Sequence, residues 1–128
     1  MIEKAQSKLR AAGVLLESGS WSDAGSRAYY AAFHAITAVL LSVGEAYSSH
    51  AQVIGMFNKN FIHAGHFPRE FASILTRLFE DRQSGDYDAT VELTEEEARE
   101  DVNDATRIVT AVIRFLNAAE GCSRGPSE

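Results

Sequence analysis

Apolar residues recur every three or four positions along almost the whole chain, which is the spacing of one face of an α-helix. The first segment shows this most clearly, with apolar residues at Ile2, Ala5, Leu9, Ala12 and Leu16. Gly19 lies where a helix commonly ends on a left-handed residue. No alternating run of apolar and polar residues is long enough to predict a strand. The chain is therefore predicted to be all-α.

Local signals divide the next part of the pattern into a second and a third helix. Ser22 or Asp23 can cap the second helix, which is predicted to run to about Ser42. A shorter third helix is predicted to begin at Ser49, where an S-x-x-Q capping box starts. It is expected to end at a break over residues 63–66, where a glycine lies between two histidines.

Two more helices are predicted in the second half of the chain. Pro68 suits the first turn of the fourth helix, which we expect to end in the sequence RQSGDYD at residues 82–88. Thr94 and Glu97 form a capping box at the start of a fifth helix. The predicted architecture is an antiparallel up-and-down bundle of four main helices and one short helix.

Length and composition agree with one globular domain. The chain has 128 residues, of which 45% are hydrophobic and 23% charged. We predict the bundle over residues 1–120 and a disordered tail over residues 121–128. The single cysteine, Cys122, excludes an internal disulfide framework. No segment is apolar enough to predict a membrane span or a signal peptide, so a cytoplasmic location is expected.

The predicted second helix is apolar on two faces. One face is a stripe of small residues at Ala24, Ala28, Ala31, Ala35 and Ala38. The other face carries large residues at Tyr29, Phe33, Ile36 and Leu40. Two apolar faces exceed what one helix of a four-helix bundle needs, so we expect a homodimer. In the alternative, the fifth helix covers the second face within one monomer.

The acidic residues are concentrated in one segment. The net charge is −6, and residues 92–104 hold seven acids against one arginine, which is also −6. The rest of the chain is therefore neutral and can present a local basic face. We interpret the acidic segment as the solvated N-terminal part of a helix, where the helix dipole favours negative charge. An acidic docking surface is the alternative.

A few polar residues lie where chemistry is possible. His50 lies on the apolar stripe of the third helix, and its simplest interpretation is a half-buried histidine bonded to a neighbour. Arg27 is embedded in the most apolar helix, which is costly unless it meets a carboxylate or an anion. Arg82 is followed by Asp86, and an ion pair between them is the simplest interpretation. The histidine spacing fits no metal site, so neither a metal nor a cofactor is predicted.

Several strings of the sequence together resemble the short HEPN-domain proteins. They are SRAYYAAFH at residues 26–34, Ser49-His50, FNKNF at residues 57–61 and RQSGDYD at residues 82–88. The resemblance is collinear from residue 1 to about residue 117. It implies a helical bundle that usually dimerises. It also implies frequent pairing with a minimal nucleotidyltransferase, often as a toxin–antitoxin module.

The resemblance also bears on catalysis. HEPN ribonucleases carry an R-x4–6-H motif in which arginine stabilises the scissile phosphate and histidine moves protons without a metal. Arg82 matches the arginine, but the histidine positions hold Tyr87, Asp88 and Ala89. Tyrosine is a poor general base at neutral pH, which puts nuclease activity in doubt. His50 is a candidate for the missing imidazole.

Three hypotheses therefore stay open. The first is a module that binds RNA or a nucleotide in a dimer cleft lined by Arg82, Asp86, Tyr87, His50, Arg27 and Tyr30. The second is a metal-independent ribonuclease toxin that uses Arg82 with His50 or Tyr87. The third is a module that docks a nucleotidyltransferase, with Tyr87 as a candidate site of nucleotidylation. The first and third are compatible with each other, and we rank them above the second.

Overall fold

The computed structural model describes the backbone of residues 2–87 and 92–124, and the side chains of residues 2–83 and 92–119. These residues form five α-helices and one π-helical turn, without a strand. The helices are α1 (Ile2–Glu17), α2 (Trp21–Ser42), α3 (His50–Phe57), α4 (Glu70–Tyr87) and α5 (Glu95–Arg124), and the π-helical turn (Asn58–Ile62) continues α3. The predicted all-α class is confirmed. None of the described helices is long and apolar enough to cross a bilayer.

The central element of the bundle is α2. The helices α1 and α5 pack along it, and α3 and α4 contact it as well. All five alanines of its small-residue stripe are buried within a single chain. Small side chains allow this close approach of neighbouring helices. The monomer therefore covers the small-residue face of α2, and the stripe gives no argument for a dimer, which stays a prediction.

Two of the predicted caps are present in the structure. The Ser49 side chain accepts a hydrogen bond from the backbone N–H of Gln52, at 3.1 Å. At the start of α5, the Thr94 N–H donates to Glu97 Oε1 at 2.9 Å, and the Glu97 N–H donates to Thr94 Oγ1 at 3.1 Å. This second pair is a complete capping box. Gly19 has a φ of +83°, as predicted for the end of α1.

The predicted cap of α2 is wrong. The helix begins at Trp21 rather than after Ser22, and its N-cap residue makes no side-chain cap bond. The Ser22 hydroxyl instead accepts a hydrogen bond from the Leu93 N–H, at 3.0 Å. A Cβ on Gly25 would lie only 2.5 Å from Leu93 Cδ1. The hydrogen bond to Ser22 and the close approach at Gly25 thus fix the segment that precedes α5 against α2.

Both C-terminal helices are longer than the sequence predicts. Pro68 precedes α4 by two residues, and α4 continues to Tyr87, which lies in the segment where its end is predicted. Asp86 and Tyr87, however, belong to the helix and not to a turn that follows it. Gly85 lowers helix stability by about 1 kcal/mol relative to alanine, which is too little to end a helix. The last helix, α5, extends to Arg124 and so enters the predicted tail. Residues 125–128 lie outside the described residues.

Candidate functional site

Arg82 of α4 packs against two adjacent tyrosines of α2. Its Nη2 donates a hydrogen bond to Tyr30 Oη, at 2.7 Å. Its Cζ lies 5.3 Å from the Tyr30 ring centroid and 5.8 Å from that of Tyr29. Both distances are within the range of cation–π attraction. The contact between α2 and α4 therefore fixes the position of this guanidinium group, which is half-buried.

His50 reaches the same tyrosines from α3. Its Nδ1 lies 2.7 Å from Tyr29 Oη, and its ring stacks on Phe33 with a centroid distance of 4.1 Å. The ring of Tyr30 meets His50 edge-on, at 6.3 Å. We call Tyr29, Tyr30 and Phe33 the aromatic cluster. Arg82 and His50 thus contact one aromatic cluster from two different helices, although 32 positions separate them in sequence.

The surroundings of His50 favour its neutral form. Burial, together with the charge of Arg82, lowers the pKa of His50 below its ordinary value. Burial raises the pKa of Tyr29 to about 12, so its hydroxyl stays protonated in the physiological range. A tyrosine hydroxyl can either donate to Nδ1 or accept from it. The Tyr29–His50 bond therefore supports both neutral tautomers of the imidazole.

The structure brings together three of the residues proposed from the sequence. Arg82, His50 and Tyr30 meet at the aromatic cluster, and His50 is half-buried and hydrogen-bonded, as its simplest interpretation predicts. Sequence reasoning missed Tyr29 as a polar partner, because it placed this residue only on the large apolar face. Two adjacent tyrosines in an apolar helix indicate a buried hydroxyl in need of a partner, but they do not identify His50 as that partner.

Arg27 does not belong to this group. It lies on α2, the most apolar helix, but its side chain is exposed on the same solvent-facing strip as Asp23 four positions earlier. The cost of burial that the sequence suggests for Arg27 is therefore not incurred. Among the described side chains, none of the cluster residues forms a hydrogen bond or ion pair with Arg27. Asp86 and Tyr87 belong to the last turns of α4, but their side chains lie outside the described residues, as does the predicted Arg82–Asp86 pair.

Comparison with known proteins gives the family. The HEPN-domain family matches residues 1–117 of the chain. The chain belongs to the HEPN-domain family. The match spans every helix that contributes to the aromatic cluster, and it confirms the family resemblance seen in the sequence.

Relatives of this HEPN domain are found in bacteria and archaea. A Thermotoga maritima protein named "UPF0332 protein" is 32% identical over 88% of this chain and 86% of its own length. A Methanocaldococcus jannaschii protein named "Putative toxin MJ0605" is 36% identical over 91% of this chain and 86% of its own length. A second protein of that organism, "Putative toxin MJ0142", is 37% identical over 77% of this chain and 67% of its own length.

A charge network holds α4 on α5 in this HEPN domain. Arg77 of α4 donates from Nε to Asp101 Oδ1 at 3.0 Å, from Nη1 to Glu100 at 3.2 Å and from Nη2 to Asp104 at 2.7 Å. Asp101 is fully buried, at 0% exposure. The acidic segment is therefore only partly the solvated helix start that the sequence predicts. Its later residues bind Arg77 and hold α4 against α5.

Asp101 Oδ2 is buried and forms no hydrogen bond among the described residues, and Asp81, the residue that precedes Arg82, lines the same small pocket. Burial, with the nearby Asp81 carboxyl, raises the pKa of Asp101 to about 8, while Arg77 opposes the rise. With a pKa of about 8, the Asp101 carboxyl is therefore mostly protonated at neutral pH while its Oδ1 accepts the hydrogen bond from Arg77. Within the residues that the structure describes, no three His, Cys, Asp or Glu side chains are arranged to hold a metal ion.

Proposed function

We propose that this HEPN domain binds the phosphate of RNA or of a nucleotide between Arg82 and His50. The observation that carries the proposal is the convergence of these two side chains on one aromatic cluster, with Arg82 Nη2 2.7 Å from Tyr30 Oη and His50 Nδ1 2.7 Å from Tyr29 Oη. A guanidinium group binds phosphate oxygens through paired N–H donors. A partly exposed imidazole beside it supplies a further donor to the same anion.

The family context supports a role in a two-component module. Two relatives carry the word toxin in their names, and we propose that this chain is likewise the toxin-type component of a toxin–antitoxin-type pair. In this proposal it forms a homodimer in the cytoplasm and docks a minimal nucleotidyltransferase. Tyr87, five positions after Arg82 on α4, is the proposed acceptor of a nucleotidyl group, as the resemblance to the short HEPN-domain proteins suggests.

A second candidate function is metal-independent cleavage of RNA. The Tyr29–His50 hydrogen bond favours it, because a tautomer that donates Nδ1–H to Tyr29 Oη leaves Nε2 as a proton acceptor. His50 would then take the proton of the ribose 2′-hydroxyl as its oxygen attacks the phosphorus. The bond from phosphorus to the 5′-oxygen would break, this oxygen would take a proton from water, and a 2′,3′-cyclic phosphate would remain. Arg82 would stabilise the charge that develops on the phosphate oxygens. His50 would thus take the role of the motif histidine, whose positions hold Tyr87, Asp88 and Ala89 in this chain.

One experiment tests both candidates. A fluorescent RNA is mixed with the protein in excess chelator, and both anisotropy and strand cleavage are followed. Arg82→Ala is expected to weaken RNA binding about 10-fold or more, because a charge-assisted phosphate contact is lost. The control is Arg99→Ala, which removes the same charge from an exposed pair with Glu95 on α5.

The outcomes separate the two functions. RNA binding without cleavage, lost in Arg82→Ala and kept in Arg99→Ala, supports the binding function. Cleavage in chelator that disappears in both Arg82→Ala and His50→Ala supports the ribonuclease. If the two arginine variants lose equal RNA affinity, RNA binding depends only on the net charge of the protein, and the proposed site is wrong.

A further inference from the structure

A groove between α3 and α4 adjoins the Arg82–His50 site. It has a volume of about 400 Å³ and is lined mainly by apolar groups. Its lining residues are Ala51, Ile54, Gly55, Thr76, Phe79, Glu80 and Gln83. On α4 these residues step by three and four positions, so they form one face of the helix. A groove of this size and character fits a small organic group rather than an extended chain.

The helices α3 and α4 contribute residues to both the groove and the Arg82–His50 site. Ala51 directly follows His50, and Gln83 directly follows Arg82, so each helix gives one residue to the site and the next to the groove. Phe79 lines the groove and packs on Tyr29 with a centroid distance of 5.7 Å. Phe79 is therefore a wall shared by the groove and by the aromatic cluster on which Arg82 packs.

We propose that this groove is a nucleobase subsite and that Glu80 selects guanine. The proposal rests on the phosphate site proposed above and names the part of the ligand next to the phosphate. A base is flat and largely apolar on its faces, and it stacks on aromatic and aliphatic side chains. Glu80 is exposed at the groove, and an ionised carboxylate only accepts hydrogen bonds. Guanine presents two adjacent N–H donors to such a group, whereas uracil presents one.

Gly55 gives a direct way to fill the groove. It lines the groove from α3, and a Cβ added there would have no heavy atom within 4 Å. Gly55→Leu therefore places a side chain in open space within a helix, without strain. Gly13→Leu on α1 is the matched control, because a Cβ at Gly13 also meets nothing within 4 Å and lies outside the groove.

The test compares GMP, AMP, UMP and ribose 5-phosphate by calorimetry on the full chain. GMP is expected to bind about 10-fold more tightly than ribose 5-phosphate, because the latter has no base to stack. Gly55→Leu is expected to reduce GMP affinity to that of ribose 5-phosphate while leaving the sugar phosphate unchanged. Gly13→Leu is expected to bind all four ligands as the wild type does. Glu80→Gln is expected to remove the preference for GMP over AMP and UMP.

Equal affinity for GMP and ribose 5-phosphate would overturn the subsite. A Gly55→Leu variant that changes the oligomeric state but keeps the wild-type ratio of the two affinities would also overturn it, and would assign the groove to a protein interface. Equal binding of the three nucleotides overturns selection by Glu80. If neither ribose 5-phosphate nor any nucleotide binds, the phosphate site itself fails, which is distinct from failure of the groove alone.

Discussion

Replacing Arg77 with alanine is expected to lower the free energy of unfolding by about 3 kcal/mol, the lower part of the range for breaking a buried ion pair. Arg77 binds three carboxylates of α5, and one of them, Asp101, has no exposed surface. Without the guanidinium group, the buried Asp101 Oδ1 loses its hydrogen-bond donor, and Glu100 and Asp104 lose their cation. Because its pKa is raised to about 8, Asp101 is mostly protonated at neutral pH, which keeps the loss near the lower end.

Arg99→Ala is the control for this variant. Arg99 pairs with Glu95 on the same helix at 2.8 Å, but both side chains are more than half exposed. An exposed pair of this kind contributes less than about 0.5 kcal/mol. Urea denaturation at neutral pH measures both variants. Equal losses for the two would show that the Arg77 network is no stronger than a surface ion pair, and the role assigned to Arg77 would be wrong.

The stability of the protein is expected to fall as the pH rises towards 8, because of Asp101. Its pKa of about 8 in the folded state exceeds its ordinary value of 3.8, so between these values the folded chain holds a proton that the unfolded chain has released. Proton binding to the folded state stabilises it at the acid end of this window. The stabilisation is lost as the pH rises through the folded-state pKa.

Asp101→Asn removes this titration and keeps an oxygen for the Arg77 N–H. From about pH 5 to about pH 9, the variant is expected to gain about 1–3 kcal/mol of stability relative to the wild type, the scale of a buried group that is poorly satisfied. Thermal or urea denaturation across this pH range measures the difference. If the wild type instead gains stability relative to the variant as the pH rises, Arg77 keeps Asp101 ionised over the whole pH range.

Much of the fold could be predicted because its signals are local. The capping box at Thr94 and Glu97 and the left-handed glycine at Gly19 involve residues close together in sequence. The last turn of α4, which reaches Tyr87, could not be predicted in this way. Gly85 resembles a stop signal, but the packing of α4 on α2 and its ion pairs with α5 outweigh the small cost of a glycine within the helix.

The site depended on contacts that the sequence does not specify. His50 and Tyr29 are 21 positions apart, and their hydrogen bond exists only because α3 packs on α2. Arg82 was identified from the family motif, whereas its contact with Tyr30 spans 52 positions and follows from the tertiary fold. The Arg77 network was missed for the same reason. Seven acids in one segment imply nearby cations, but they do not show which arginine binds them.

The most direct test of the phosphate site follows the histidine side chains by NMR during titration with a short RNA in chelator. The chain has four histidines, and the His63 and His66 rings, in the loop before α4, serve as internal controls. We predict that RNA shifts the His50 resonances, leaves those of His63 and His66 in place, and no longer shifts His50 in the Arg82→Ala variant. RNA that binds without moving His50, or that moves it equally in Arg82→Ala, would contradict the site.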